Sequence, residues 1–466
     1  MVSALAWAFA WAFEWPAPGG SASPPRVIVL ISLDTLRPDH LGTYGHARDT
    51  SPVLDALARR GVVFEDAWAT SPWTLPSHAS ILTGLYPSQA NVRRSPNRLT
   101  ASTPTLAEQL REAGYHTVGV ATTFWFSIGR FARGFDEWEL LGEDAAAIFR
   151  GTEPKKAQTA EKLGARVTEL GLKALEADGE RPLFLFLHYF DIHSDYLSRP
   201  EFENLFLPSD FRSESRVDGT TAQLDMILAG EIELDDRERE ELRLLYDAGI
   251  RQLDDRLASI FDWIEDEVGW DQALVVVTSD HGEAFFEHES HNASVKHGNT
   301  QYQEQLLVPL IMAGGDIPEG LRITDPVSLV DIAPTLLAAA GVAPASSLPG
   351  YDLARHWGNA AAGDAARTLF AQSAPAMNGD WLRAVRRGRH KLIVNSKLGT
   401  RELYDLGADP AETQNLAESH PDLAEELAAL LEDFERRHPD PEREPEFEID
   451  EATREKLRAL GYTEQE

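Results

Sequence analysis

Ala273-Leu274-Val275-Val276-Val277-Thr278 runs without a polar break into Ser279-Asp280-His281. Apolar and β-branched residues in a row, with no alternation, read as a strand buried on both faces, and such strands belong to parallel or mixed sheets. The same reading applies to 27–32, 117–121, 183–189 and 308–312. Helical patterns lie between these runs, at 52–61, 105–113, 157–177 and 237–268. Strands alternating with helices predict an α/β fold: a large, mixed but mostly parallel central sheet flanked by helices. Composition shifts near 344–350. Beyond it, 381–394 and 401–406 read as strands of a smaller antiparallel sheet, and 422–436 as a closing helix.

The strand ends carry the chemistry. The first run leads into Asp34, the 183–189 run into Asp191 and His193, and the 273–278 run into Asp280 and His281. In open α/β sheets, sites form outside the carboxyl ends of strands. One Asp after a strand is usually a turn or a cap. Three strands delivering carboxylates and imidazoles to one edge predict a site.

Thr74-Leu75-Pro76-Ser77-His78 is the candidate nucleophile segment. Pro76 suits the first turn of a helix, and Gly84 suits its end. Thr74 is therefore expected just ahead of a helix N-terminus, where free amides and the helix dipole favour an anion. His78, four residues on, is expected near it. The plain alternative is a capping Thr74 and a surface His78.

At 466 residues, 43% of them apolar, the chain can hold one large domain and a smaller appendage. The formal net charge of −33 repels nucleic acid and anionic membranes, so no nucleic-acid partner is expected. With no cysteine there is no disulfide, thiolate site or Cys nucleophile. The apolar run 4–13, followed by a Pro, Gly and Ser stretch, is too short to span a bilayer. It suits a signal-peptide core, although no Lys or Arg precedes it; a periplasmic or secreted location is expected, a cytoplasmic one otherwise. No integral membrane segment is expected. The expected division is a leader at 1–23, an α/β domain at 24–345, a small-sheet unit at 346–438 and an acidic tail with a terminal helix at 439–466.

Several ordered motifs together resemble the sulfatase family of the alkaline phosphatase superfamily. Sulfatases carry Cys or Ser followed by x-Pro-Ser-Arg and, a little later, Thr-Gly; here Thr74-Leu75-Pro76-Ser77-His78 and Thr83-Gly84 keep that frame. The segment from Val29 through Asp34 to Gly42 resembles the family's first metal-binding segment. Thr105-Leu106 with Gly114-Tyr115-His116-Thr117 resembles its second signature. His188 to His193, Thr278-Ser279-Asp280-His281-Gly282-Glu283 and Glu402-Leu403-Tyr404-Asp405-Leu406 follow in family order, over nearly the whole chain. The late motif, 403–416, reads as turns and packing.

The resemblance implies an alkaline-phosphatase-like layered fold and a metal-dependent ester hydrolase, with phosphotransfer as a variant. It departs at key points. Thr74 is neither Cys nor Ser, so no formylglycine is implied. His78 stands in place of the Arg, Thr35 replaces the second acid of the usual Asp pair, and the Lys expected near Ala121-Thr122 is missing. The pattern is closer to superfamily members with a Thr nucleophile, such as lipoteichoic acid synthases and phosphoethanolamine transferases. Matched to them, Asp34, Thr74, Asp280 and His281 would hold one divalent ion.

Such mixed oxygen and nitrogen ligation suits Mn, Zn or Mg better than Ca. A cation beside the Thr74 hydroxyl would favour its alkoxide. His193 and His297 are expected to contact ester oxygens or protonate the leaving group; for His297 an ordinary loop histidine, in the run His288, His291, His297, is the competing reading. The expected substrate is a small-molecule, glycan or lipid ester of sulfate or phosphate. A plain Thr cannot expel sulfate by collapsing to an aldehyde, which favours phosphoryl transfer. The competing reading is a degenerate sulfatase-like protein that binds anionic ligands, such as sulfated glycans, without turnover.

Overall fold

The computed structural model describes residues 23–93, 97–141, 153–177, 179–288, 294–357, 366–373 and 382–438. The expected leader up to residue 22, the tail with its terminal helix, His291 and Trp381 lie outside the described residues, and the stretch read as one strand over 381–394 is two antiparallel strands, Leu382–Arg387 and His390–Asn395, joined by a tight turn.

Nine strands form the central sheet. They are β1 (Val27–Leu33), β2 (Gly61–Trp68), β3 (His116–Ala121), β4 (Glu137–Leu140), β5 (Leu183–Tyr189) and β6 (Ala273–Thr278), then, beyond the short hairpin β7 (Ala284–Phe285) and β8 (Val295–Lys296), β9 (Leu307–Ala313), β10 (Leu321–Ile323) and β11 (Val327–Ser328). The order is β10-β2-β9-β6-β1-β5-β3-β4, with β11 also on β2. All five strands read from the sequence are present. β1 lies between β5 and β6 and is parallel to both, with Ser32 opposite His188 and Thr278. Their carboxyl ends therefore open on one edge. β9 runs antiparallel to both β2 and β6, so the sheet is mixed.

Every residue of β1, β5 and β6 is buried. Helices cover both faces, which is why these strands carry no polar alternation. The long helix Asp236–Trp263 starts at a capping box made by Asp235 and Glu238 and buries Leu245, Leu253 and Leu257 against one face. On the other face lie the helices Thr74–Thr83, Leu106–Glu112 and Ile332–Ala339.

The second sheet is an antiparallel meander, β12 (Thr368–Ser373), β13 (Leu382–Arg387), β14 (His390–Asn395) and β15 (Thr400–Asp405). Helix Pro421–Arg437 packs Leu427 and Leu431 on Val385, Leu392 and Leu403. The opposite face joins the main core through Ala371, Ala384 and Ile393. A buried ion pair, Lys391 Nζ to Glu412 at 2.7 Å, sits at this junction. Among the described residues no helix is long and apolar enough to cross a membrane.

Candidate active site

The helix of the candidate nucleophile begins one step earlier than the sequence suggests. It spans Thr74–Thr83, with Trp73 as its N-cap, so Thr74 is its first residue and not the residue ahead of it. Pro76 stays within the first turn, where its missing N–H costs nothing. Gly84 closes the helix in the left-handed conformation, at φ 73°. Thr74 is 3% exposed and so is not a surface cap.

Asp34 follows β1, with its N–H donating to the carbonyl of Tyr189 at 3.0 Å, and Asp280 and His281 follow β6. The parallel register brings the three together. Their ligating atoms all lie within 4.8 Å of one another, and all three residues are fully buried. His281 Nε2 is 3.3 Å from Thr74 Oγ1, 3.5 Å from Asp34 Oδ1 and 3.3 Å from Asp280 Oδ2. His281 Nδ1 is 3.0 Å from the carbonyl of Gly282. A carbonyl only accepts, so Nδ1 carries a proton and Nε2 faces the carboxylates, whose charges raise the ring's proton affinity against the effect of burial.

Among the described residues no hydrogen bond of good geometry reaches the four carboxylate oxygens of Asp34 and Asp280, and the Thr74 hydroxyl lies beside Asp34. Burial raises the proton affinity of both, and the Asp34 charge raises that of Asp280 further. Two fully buried carboxylates without hydrogen-bond donors, facing an imidazole nitrogen, fit a divalent cation. The donor set suits a metal of the Mn, Zn or Mg kind.

Among the described residues, two other groups of possible ligands have cationic partners. Asp247 is held by His40 and His46 with Arg48 beside them, and Glu412, near His288 and Glu304, pairs with Lys391.

His78 is brought close, but not as a group open to substrate. Its Nδ1 donates to the Thr74 carbonyl at 2.9 Å, its Nε2 accepts from Ser32 Oγ at 2.9 Å, and the ring is 0% exposed. It braces the first turn of the Thr74–Thr83 helix from inside the fold. Ser77 Oγ, bonded to the Asp280 carbonyl at 2.6 Å, ties that turn to β6.

His193 and His297 both line the site. Their rings are 4.8 Å apart, and His297 lies 4.4 Å from His281. His193 Nδ1 donates to the Ser194 carbonyl and His297 Nδ1 to Glu283, so each leaves Nε2 free. Burial keeps both neutral, His193 with its protonation pushed down to about 4. Thr35, where a second acid was looked for, has φ 64°, a strained value for a β-branched residue, and its hydroxyl bonds the Ile192 carbonyl. The first strand thus supplies only Asp34.

Two residues escaped the sequence reading. His188 projects from β5 beside Asp34, with Nε2 3.3 Å from Oδ2. Glu283 lies under His297, and burial pushes its carboxyl up to about 6. Both stand in motifs visible in the sequence, but neither follows a strand directly, which was the signal used.

The sulfatase family model matches residues 26–342, and a model described as N-sulphoglucosamine sulphohydrolase, C-terminal, matches residues 298–437. A choline-sulfatase of Rhizobium meliloti (strain 1021) is 25% identical over 449 residues, covering 84% of this chain and 82% of its own. A Delta 4,5-hexuronate-2-O-sulfatase of Bacteroides thetaiotaomicron is 24% identical over 488 residues, covering 91% of each. The crystal structure of a phosphonate monoester hydrolase of Agrobacterium radiobacter shares the fold, with a TM-score of 0.72 at 21% identity over 89% of this chain and 96% of that one.

Proposed function

We propose that this chain, which belongs to the sulfatase family, is a metal-dependent ester hydrolase that uses the unmodified Thr74 hydroxyl as its nucleophile and prefers phosphate esters to sulfate esters. One observation carries the reading. The carboxylates of Asp34 and Asp280, stripped of hydrogen-bond donors, face His281 beside the Thr74 hydroxyl at a helix N-terminus.

Asp34, Asp280, His281 and Thr74 would hold the ion. When bound, it would lower the cost of the Thr74 alkoxide and neutralise a non-bridging ester oxygen. The rest falls to the protein. Thr74 Oγ1 forms a bond to phosphorus as the bond to the alcohol oxygen breaks. The free amides of the Thr74–Thr83 helix face the charge of the transferred group. His193 and His297 present Nε2 to the ester oxygens, and one of them carries the proton released by the Thr74 hydroxyl to the departing alcohol. Water then hydrolyses the phospho-threonine.

Relatives named for choline sulfate and hexuronate sulfate esters favour sulfate. The chemistry of Thr74 favours phosphate, because a sulfo-threonine has no aldehyde to collapse to and must wait for direct attack by water. The phosphonate monoester hydrolase, alike in fold, keeps phosphorus within reach of this architecture. The deciding experiment is a panel of nitrophenyl phosphate, bis-nitrophenyl phosphate and nitrophenyl sulfate with Mn, Zn, Mg or Ca. Turnover of the phosphate esters, lost with a chelator, is expected. Turnover of sulfate alone overturns the phosphoryl preference. Metal loading without any turnover replaces the enzyme by a binder of anionic ligands.

A further inference from the structure

We propose that Glu283 is a positioning residue that acts on the ester through His297, and that the pair serves departure of the alcohol. The inference rests on the proposed hydrolase reading of the site.

His297 needs such a partner because neither helix nor strand holds it. It lies between Lys296, at φ 67°, and Gly298, at φ 85°. What places it is the β7–β8 hairpin, in which Ala284 pairs with Lys296. In an antiparallel register the next pair outward is Glu283 with His297. The hairpin thus sets the carboxylate and the imidazole face to face. His297 Nδ1 lies 3.1 and 3.3 Å from the two Glu283 oxygens.

Glu283 is itself fixed at two points. Its carbonyl accepts from Arg37 Nη1 at 2.9 Å, and that guanidinium is gripped by Asp39 and Glu287. Its carboxylate lies beside the Tyr196 hydroxyl. The side chain is 0% exposed. A carboxylate on Nδ1 fixes both tautomer and ring plane, so His297 turns only Nε2 towards the site.

In the step this serves, the neutral His297 takes the Thr74 hydroxyl proton on Nε2 as Oγ1 bonds to phosphorus, and passes it to the alcohol oxygen as the P–O bond breaks. The Nδ1–H bond to Glu283 persists, and when water resolves phospho-Thr74, Nε2 takes a proton from that water and returns it to the Thr74 oxygen. Help of this kind matters most where the leaving alcohol is a poor one. The pair therefore points to esters of unactivated alcohols, such as sugar or lipid hydroxyls, as the substrate class.

The test uses the full chain with Mn, the near-isosteric Glu283→Gln, His297→Ala and the double variant, on nitrophenyl phosphate and methyl phosphate. On methyl phosphate, Glu283→Gln should lower kcat roughly 10²-fold at little change in KM, the scale of general acid catalysis. On nitrophenyl phosphate, whose leaving group departs unaided, the loss should be at most a few-fold. In the His297→Ala background Glu283→Gln should cost nothing more. Equal losses on the two esters, or losses that add in the double variant, overturn the role while leaving the hydrolase reading intact. Absence of wild-type turnover on both esters overturns the reading and this role with it.

Discussion

Replacing Thr74 by Ala removes one hydroxyl and one methyl from a buried position. Because Trp73 is the N-cap and makes no side-chain cap bond, the substitution removes no cap. The fold loses a 3.3 Å contact with His281, worth about 1 kcal/mol, and a buried methyl, worth about 0.8 kcal/mol. Ala is the better helix former, which offsets part of this. A net cost of about 1–2 kcal/mol against a typical stability of about 5–15 kcal/mol leaves the protein folded. Activity should respond on another scale. Without the nucleophile and one ligand position, kcat on nitrophenyl phosphate should fall on the order of 10⁴-fold or more. Thr74→Ser keeps the oxygen and loses only the methyl, so it should retain a measurable part of the turnover. Circular dichroism melts and steady-state kinetics read both scales, and rapid quench with peptide mapping should find phosphate on Thr74 in the wild type. A Thr74→Ala enzyme within roughly tenfold of wild type would refute the covalent reading, since loss of a true nucleophile costs far more than that. The attacking group would then be a water.

Other consequences can be measured separately. Metal should raise the melting temperature, by the equivalent of about 2.7 kcal/mol at a hundredfold excess over Kd, and Asp280→Asn should abolish that shift. The metal-free Asp280→Asn protein should melt no lower than metal-free wild type, since one of two facing buried charges is gone; a lower melt would mean that the carboxylates are not repelling each other. Burial holds His78 and His188 neutral, with protonation pushed down to about 3 and about 4. The unfolded chain takes up these protons near pH 6.5, so stability is full above that value and is lost as pH falls towards the folded values. The two groups together give a slope of roughly 3 kcal/mol per pH unit, seen as a falling urea midpoint in the metal-loaded protein. Lys391→Met strands the Glu412 carboxylate in the junction between the sheets and should cost about 3–5 kcal/mol. Adding Glu412→Gln should recover part of that loss in the same melt.

How much of this was legible depends on what each segment packs against. Strands β1, β5 and β6 are covered on both faces, so their apolar runs were plain in the sequence. β2 was not, although Val62, Val63 and Phe64 are as buried as any residue in β1. Its run is broken by Glu65 and Asp66 at a shift of register between Phe64 and Ala67, and Asp66 is there to receive Arg386 from the small sheet. A polar pair inside a strand reads as a loop until the partner that needs it is known. β12 was missed for a related reason: with burial alternating between Leu369 and Ala371, its pattern is short and needs the facing strand β13 to define it.

The site divides along the same line. Asp34, Asp280 and His281 could be found because each stands just past a buried strand, and parallel strands must release their next residues on the same side. Thr74 could be placed beside this cluster because a helix start follows it closely enough that an error of one residue did not matter. Glu283 and His297 obey neither rule. Their meeting depends on a hairpin of two residues per strand, and such short pairing has no periodicity to read. His78 shows the converse error. Spacing on a helix placed it one turn from Thr74, correctly, but spacing carries no information about which way the ring faces. The hydrogen bonds from Ser32 and to the Thr74 carbonyl turn it into the fold, where it braces the first turn of the Thr74–Thr83 helix. Residues that reach a site by following regular elements can be listed from sequence; which of them touches substrate is decided by hydrogen bonds between segments far apart in the chain.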